Sequence, residues 1–229
     1  MSDSILDRLA EKSTVGKDSF GGVRIPTIKL DGSASGDTAG HILRFDGDVM
    51  TDLGKSLDLQ IIRIRKKLLL GGEDIKFYSN EYDSPTNDKV FLYQVSKDGG
   101  SWGKPIVIAE GTATELRTIK AVKVASVVYG INSSNELVKL TVKGASTTGD
   151  DGLYDYESSF NRDLFQYITQ VSVSKVDKNR AISYHRMHFK KGDKLTSGFE
   201  KVEQYLDLIA GITTQVKTTE NKKEDTNDW

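Results

Sequence analysis

The chain has 229 residues, a formal net charge of −1, 8% aromatic residues and no cysteine. Such a length can bury a sizeable core, and the charge balance excludes a global basic field, so any polyanion contact must come from a local patch. The missing thiols exclude disulfides, thiolate zinc sites and cysteine nucleophiles.

Taken in chain order, residues 1–12 carry Ile5, Leu6 and Leu9 at the spacing of a short amphipathic helix. The stretches that follow, STVGKDSFGG and GGVRIPTIKLDGSASGDTAG, are rich in Gly, Ser, Thr and Asp, with one extended piece at Val23–Leu30. Residues 1–56 therefore read as an N-terminal arm with few regular elements. MSDSILDRLAEKS lacks a basic region followed by an apolar core, and no apolar run approaches the roughly 20 residues that span a bilayer. A cytoplasmic protein without a membrane partner is the expectation.

From Leu57 the pattern turns to strands, expected at Leu57–Leu70, Ile75–Tyr82, Val90–Val95, Pro105–Ala109, Ile119–Tyr129, Leu137–Lys143, Ile168–Val176 and Ala181–Phe189. Polar turn residues join VKVASVVYG to LVKLTVKG and ITQVSVSKV to RAISYHRMHF as two hairpins. Between them Leu153, Tyr156, Phe160, Leu164 and Tyr167 recur at helical spacing behind an N-cap at Asp150 or Asp151. A C-terminal helix starts at the capping box Ser197-Gly-Phe-Glu200, buries Phe199, Val202, Leu206 and Ile209, and is expected to stop at Gly211. Residues 212–229 lack the apolar content to order themselves and read as a disordered acidic tail.

The longest strand, LDLQIIRIRKKLLL, changes faces midway. Leu57, Leu59 and Ile61 occupy odd positions, whereas Ile62 and Ile64 occupy even ones. A β-bulge would re-aim every later side chain in this way, and small barrels use the device to let one strand serve two sheets. Two short strands, or a helical end before Gly71, are the alternatives. With a helix between two hairpins, the bent strand suggests a mainly β fold: residues 57–211 as a decorated OB-like barrel with one inserted and one C-terminal helix.

Arg63, Arg65, Lys66 and Lys67 follow the switch, and Tyr78, Tyr82, Tyr93 and the loop residue Trp102 come soon after. Cations track a phosphate backbone and aromatic rings stack on any base, which is the chemistry of non-specific single-strand binding. Alternation consigns about half of the nearby aromatics to the core.

Other motifs are bland. No phosphate-binding G-x-x-x-x-G-K-[ST] occurs, and His185 and His188 would fall on opposite faces of a strand, so no metal, cofactor or catalytic set is assigned. Glu73-Asp74 and Asp150-Asp151 sit beside glycines, where turns and caps explain them.

The segments DLGKSLDLQII, FYSNEYD, SKDGGSWGKP and VVYGINSSNELVKLTVKGAS, over roughly residues 53–192, resemble a phage-encoded family of single-stranded-DNA-binding proteins. The ending EDTNDW, with Glu224, Asp225, Asp228 and Trp229, is similar to the acidic, aromatic-ended tails of such proteins. The resemblance implies an OB-like fold, coating of single-stranded DNA without strong sequence preference in phage replication or recombination, and a tail that docks replication or recombination proteins. The cysteines many relatives carry in a central loop are missing, so a metal site of theirs does not carry over. A phage structural or assembly protein making protein contacts alone is the alternative, and an enzyme with an unfamiliar site is a third reading. A homo-oligomer is compatible with each of them.

Overall fold

The computed structural model describes residues 25–33, 35–160, 163–179 and 182–220. The fold is mainly β. Twelve strands form one sheet: β1 (Thr27–Leu30), β2 (Ile42–Asp46), β3 (Val49–Asp52), β4 (Ser56–Leu70), β5 (Ile75–Ser79), β6 (Val90–Asp98), β7 (Ser101–Trp102), β8 (Ile106–Gly111), β9 (Lys123–Asn132), β10 (Leu137–Lys143), β11 (Tyr167–Asn179) and β12 (Ile182–Lys194). The helices are few: α1 (Ala113–Lys120), α2 (Ala145–Thr148), α3 (Leu153–Ser158) and α4 (Phe199–Glu220), with a 3-10 turn at Leu164–Gln166.

The main path runs β3-β2-β1-β10-β9-β4-β5-β6-β7, and its two ends do not meet. The expected closed barrel is therefore corrected to an open, forked sheet. The fork lies at β4, a single strand of 15 residues. One edge of β4 pairs with β9 from Leu59 to Leu69. The opposite edge is divided: Ser56–Gln60 pairs with β11, and Leu69–Leu70 with β5. Two partners on one edge let the sheet branch where a barrel would have closed.

The face switch within β4 is a bulge. Ile61 opposes Gly130 and Arg63 opposes Tyr129, which leaves Ile62 as the extra residue. Leu59 and Ile61 consequently face one core, with Val128, Leu140, Val171, Met187 and Phe189, while Ile62 faces another, with Tyr129, Ile131, Val202 and Leu206. Gly130 permits the close approach, because a Cβ there would lie 3.3 Å from the Gln60 carbonyl and 3.4 Å from Leu59 Cβ. A third core under α1 gathers Leu68, Tyr82, Val90, Leu92 and Leu116.

Several elements differ from the sequence expectation. Residues 25–56, expected as part of an arm, supply β1, β2 and β3, and Ile28 and Ile42 are buried in the first core. The parallel pairing of β1 with β10 orders them, a contact between segments far apart in sequence. Helix α1 replaces the start of the strand expected at Ile119; Thr112 and Glu115 form a full capping box that marks its beginning. The helix expected after Asp151 is broken into α3 and the 3-10 turn, although Leu153 and Tyr156 are buried and Phe160 and Leu164 pack against them. Helix α4 continues through Gly211 to Glu220. Residues 1–24 and 221–229, with the expected helix through Ile5, Leu6 and Leu9 and most of the acidic tail, lie outside the described residues.

Candidate nucleic-acid interface

In-register neighbours in a sheet project to one side, so the pairings define which side chains share a face. Tyr93, Tyr78, Leu69 and Lys123 make one row across β6, β5, β4 and β9. The next row along β4 holds Lys67, Ala125 and Lys143, and the one after it Arg65, Val127, Thr141 and Lys29. The last contains Arg63, Tyr129, Lys139, Thr27 and Phe45. Alternation adds Lys76 beside Tyr78 and Lys97 beyond Tyr93 to the same face.

Trp102 joins them through the β6–β7 hairpin, where it pairs with Lys97. Gly99 and Gly100 form its two-residue turn at φ 57° and φ 90°, a left-handed pair that other residues adopt with strain. The ring is 39% exposed, with Lys76 Nζ 3.7 Å and Lys97 Nζ 5.4 Å from its centre. Tyr78 and Tyr93, half-buried, stack with ring centres 5.4 Å apart. The Lys76 ammonium thus lies over a face of the Trp102 indole, a cation–π contact that a stacking base would have to displace or meet from the opposite face.

Arg63 and Arg65 do not serve that surface, which corrects the expectation for them. They are 5% and 4% exposed. Arg63 Nη2 donates to Asp83 Oδ2 at 3.0 Å, Arg65 Nε lies 3.4 Å from Asp83 Oδ1, and Arg65 Nη2 donates to the Glu81 carbonyl at 3.2 Å. Asp83 is presented by a turn in which Asp88 Oδ2 accepts from the amides of Asp83 and Ser84. Tyr82 is also corrected: it is 1% exposed, belongs to the third core, and burial pushes its hydroxyl up to about 12. Lys66 points to the other face, its Nζ 5.5 Å from the Tyr154 ring centre. Of the residues expected to bind, Lys67, Tyr78, Tyr93 and Trp102 share one sheet face, on which Trp102 is exposed, Lys67, Tyr78 and Tyr93 are half-buried, and Ala125, Val127 and Tyr129 are buried. Glu224, Asp225, Asp228 and Trp229 lie outside the described residues.

Lys29, Lys76, Lys97, Lys139 and Lys143 are additions that sequence reasoning missed. The phase of the LVKLTVK strand places Lys139 and Lys143 together, a signal that was available; Lys29 had none, because its strand is ordered by a long-range pairing. Glu81 lies among them. It accepts from Tyr129 Oη at 2.8 Å and pairs with Lys139 Nζ at 2.5 Å. Burial raises the Glu81 carboxyl, but the Lys139 charge, the hydrogen bonds from Lys139 and Tyr129 and the Arg65 charge outweigh it and hold the group below its ordinary value.

The remaining lysines crowd one another. Burial, then the charges of Lys139 and Lys29, bring the Lys67 amine down to about 8 against an opposing pull from Glu81. Burial, Lys76 and Lys143 lower Lys29 as well. Lys76 stands four strands from Lys29 in the sheet order, yet its charge still acts on the Lys29 amine. Among the described residues, no carboxylate forms a salt bridge with Lys29, Lys67 or Lys143.

Elsewhere the histidines have structural partners. His185 Nδ1 is 3.0 Å from the Ser33 carbonyl, His188 Nε2 is 2.6 Å from Ser174 Oγ, and His41 Nδ1 is 2.7 Å from Asp52 Oδ2. Among the described residues no group of three or more His, Asp or Glu could hold a metal ion, and no helix is long and apolar enough to cross a membrane. Compared with protein-family models, with curated proteins and with solved structures, the chain matches none.

Proposed function

We propose that the protein coats single-stranded DNA without strong sequence preference, in phage or mobile-element replication or recombination within a bacterial cytoplasm. One observation carries this reading: the exposed Trp102 and the stacked Tyr78 and Tyr93 share a sheet face with lysines that repel one another. Like charges held together are unfavourable until a polyanion neutralises them, and flat rings beside them suit bases of any identity. Non-covalent coating is the activity; no nucleophile with an activating base is required. On this reading the tail residues Glu224, Asp225, Asp228 and Trp229 dock replication or recombination proteins.

A phage assembly protein is the second reading, favoured by the apolar side chains that the edge strands expose, Val49 and Met50 on β3 and Ile106 and Val107 on β8. Titration of labelled oligo-dT against the full chain at rising salt separates the two. Binding that weakens with a slope of ~0.7 per phosphate contact supports the coating reading, whereas no binding at low salt removes it.

A further inference from the structure

One face of the β11–β12 hairpin carries a cluster of hydrogen-bond donors without an anion of its own. Ser174 opposes Arg186 in register, Ser172 opposes His188 and Gln170 opposes Lys190, so these side chains stand on the same side. Ser172, Ser174, Gln170 and Lys190 are exposed there, and Arg186 and His188 are half-buried. The turn between α2 and α3 fixes the outer edge of β12, since Ser146 Oγ and the Asp151 carbonyl accept from the Met187 and Phe189 amides, each at 2.9 Å. Gly149 in that turn gives the Arg186 guanidinium its room, because a Cβ there would collide with Nη1 and lie 2.9 Å from Cζ.

The protonation of the cluster follows from its geometry. Arg186 Nη2 lies 3.4 Å from His188 Nδ1, and a guanidinium can only donate, so Nδ1 accepts. The neutral imidazole then carries its proton on Nε2, which donates to Ser174 Oγ at 2.6 Å. The hydroxyl proton of Ser174 is left to turn toward solvent, beside the guanidinium of the opposing residue. His188 is the one polar contact of Arg186 among the described residues; no carboxylate pairs with the guanidinium, and its buried Nε has no acceptor. Burial and the Arg186 charge lower the His188 imidazole against an opposing pull from Asp151, which favours the neutral ring.

We propose that Arg186 and Ser174, oriented by His188, form a binding site for a phosphate oxyanion. Such a ligand brings only acceptors, which suit the guanidinium and the serine hydroxyl, and it brings the charge that Arg186 lacks. Lys190 stands one row beyond His188 on this face and adds to the attraction. Asp58, beside Gln170 in that row, and Asp151 oppose the ligand's charge, so directed donors and not net charge carry the affinity. The site does not depend on the single-strand reading, because free phosphate and the phosphodiester of a nucleic acid share this chemistry.

The test is an NMR titration of the full chain at constant ionic strength, read at the Arg186 Nε–Hε and His188 ring resonances, with inorganic phosphate in one arm and oligo-dT in the other. Saturable shifts with inorganic phosphate support the site and show that the free ion suffices; saturable shifts with oligo-dT alone support it and assign it to the phosphodiester of a strand. Ser174→Ala, at an exposed position, should weaken whichever binding is seen by roughly three- to tenfold, and Arg186→Gln by more than about tenfold. An Arg186→Gln chain that fails to fold leaves the decision to Ser174→Ala. Three results overturn the proposal: no shift in either arm, an affinity that Ser174→Ala leaves unchanged, or a free protein in which the neutral His188 ring carries its proton on Nδ1.

Discussion

Arg63 and Asp83 form an ion pair at 3.0 Å with the arginine side chain 3% exposed, which turns a surface-like sequence feature into an interior one. The chain after the bulge presents alternating cations, yet the 83–88 turn folds over them and supplies the carboxylate. Removing one partner of such a pair leaves an uncompensated buried charge. Asp83→Ala should therefore destabilise the protein by about 3–5 kcal/mol, read from the urea midpoint at unchanged m. A loss below ~1 kcal/mol would place the pair in the screened, surface class. Replacing Arg63 or Arg65 by Ala should act on stability in the same direction.

Trp102 is 39% exposed at the rim of the sheet, with two lysine ammonium groups over its ring and a two-glycine turn before it. Oligo-dT should quench its fluorescence, measured in a Trp229→Phe background so that one indole reports. Trp102→Ala should lower affinity by about 1–3 kcal/mol while leaving the urea midpoint nearly unchanged. Loss of stability without loss of affinity would make the ring a packing element.

The Lys67 amine also makes a prediction for the free protein. Its folded-state value, about 8, lies below the ordinary 10.5, so between these the unfolded chain binds more protons than the folded one. Stability should then rise with pH through that window, by at most about 3 kcal/mol from this group. Lys67→Met removes the group and should flatten the rise when the two proteins are unfolded in urea at successive pH values. Parallel curves would show that Lys67 titrates normally.

Ile62 is the extra residue of the bulge, and its deletion should be severe. Every residue from Arg63 onward would exchange faces, carrying the arginines toward the core now occupied around Ile64 and Leu68 and away from Asp83. Loss of the cooperative urea transition is the expected outcome; Ile62→Val, which keeps the register, should cost about 0.5–1.5 kcal/mol. A folded deletion variant would mean that β4 can re-register against β9.

Local pattern alone determined the long β4 strand, its change of face, the β9–β10 and β11–β12 hairpins and the apolar stripe of α4. Each depends on side-chain periodicity and turn chemistry within a few residues, and these are written directly in the order of amino acids. Tertiary structure decided what surrounds each face. The cations Arg63 and Arg65 have the exposed, alternating look of a binding strand until Asp83 and Glu81 close over them, and Tyr82 looks like a stacking ring until Leu68 and Val90 bury it. The parallel pairing of β1 with β10, more than a hundred residues away in the chain, brings Lys29 within electrostatic reach of Lys67 and Lys76. The sheet stayed open for a related reason: periodicity shows that a strand bends, but which partner takes each half of its free edge depends on segments that no local pattern connects.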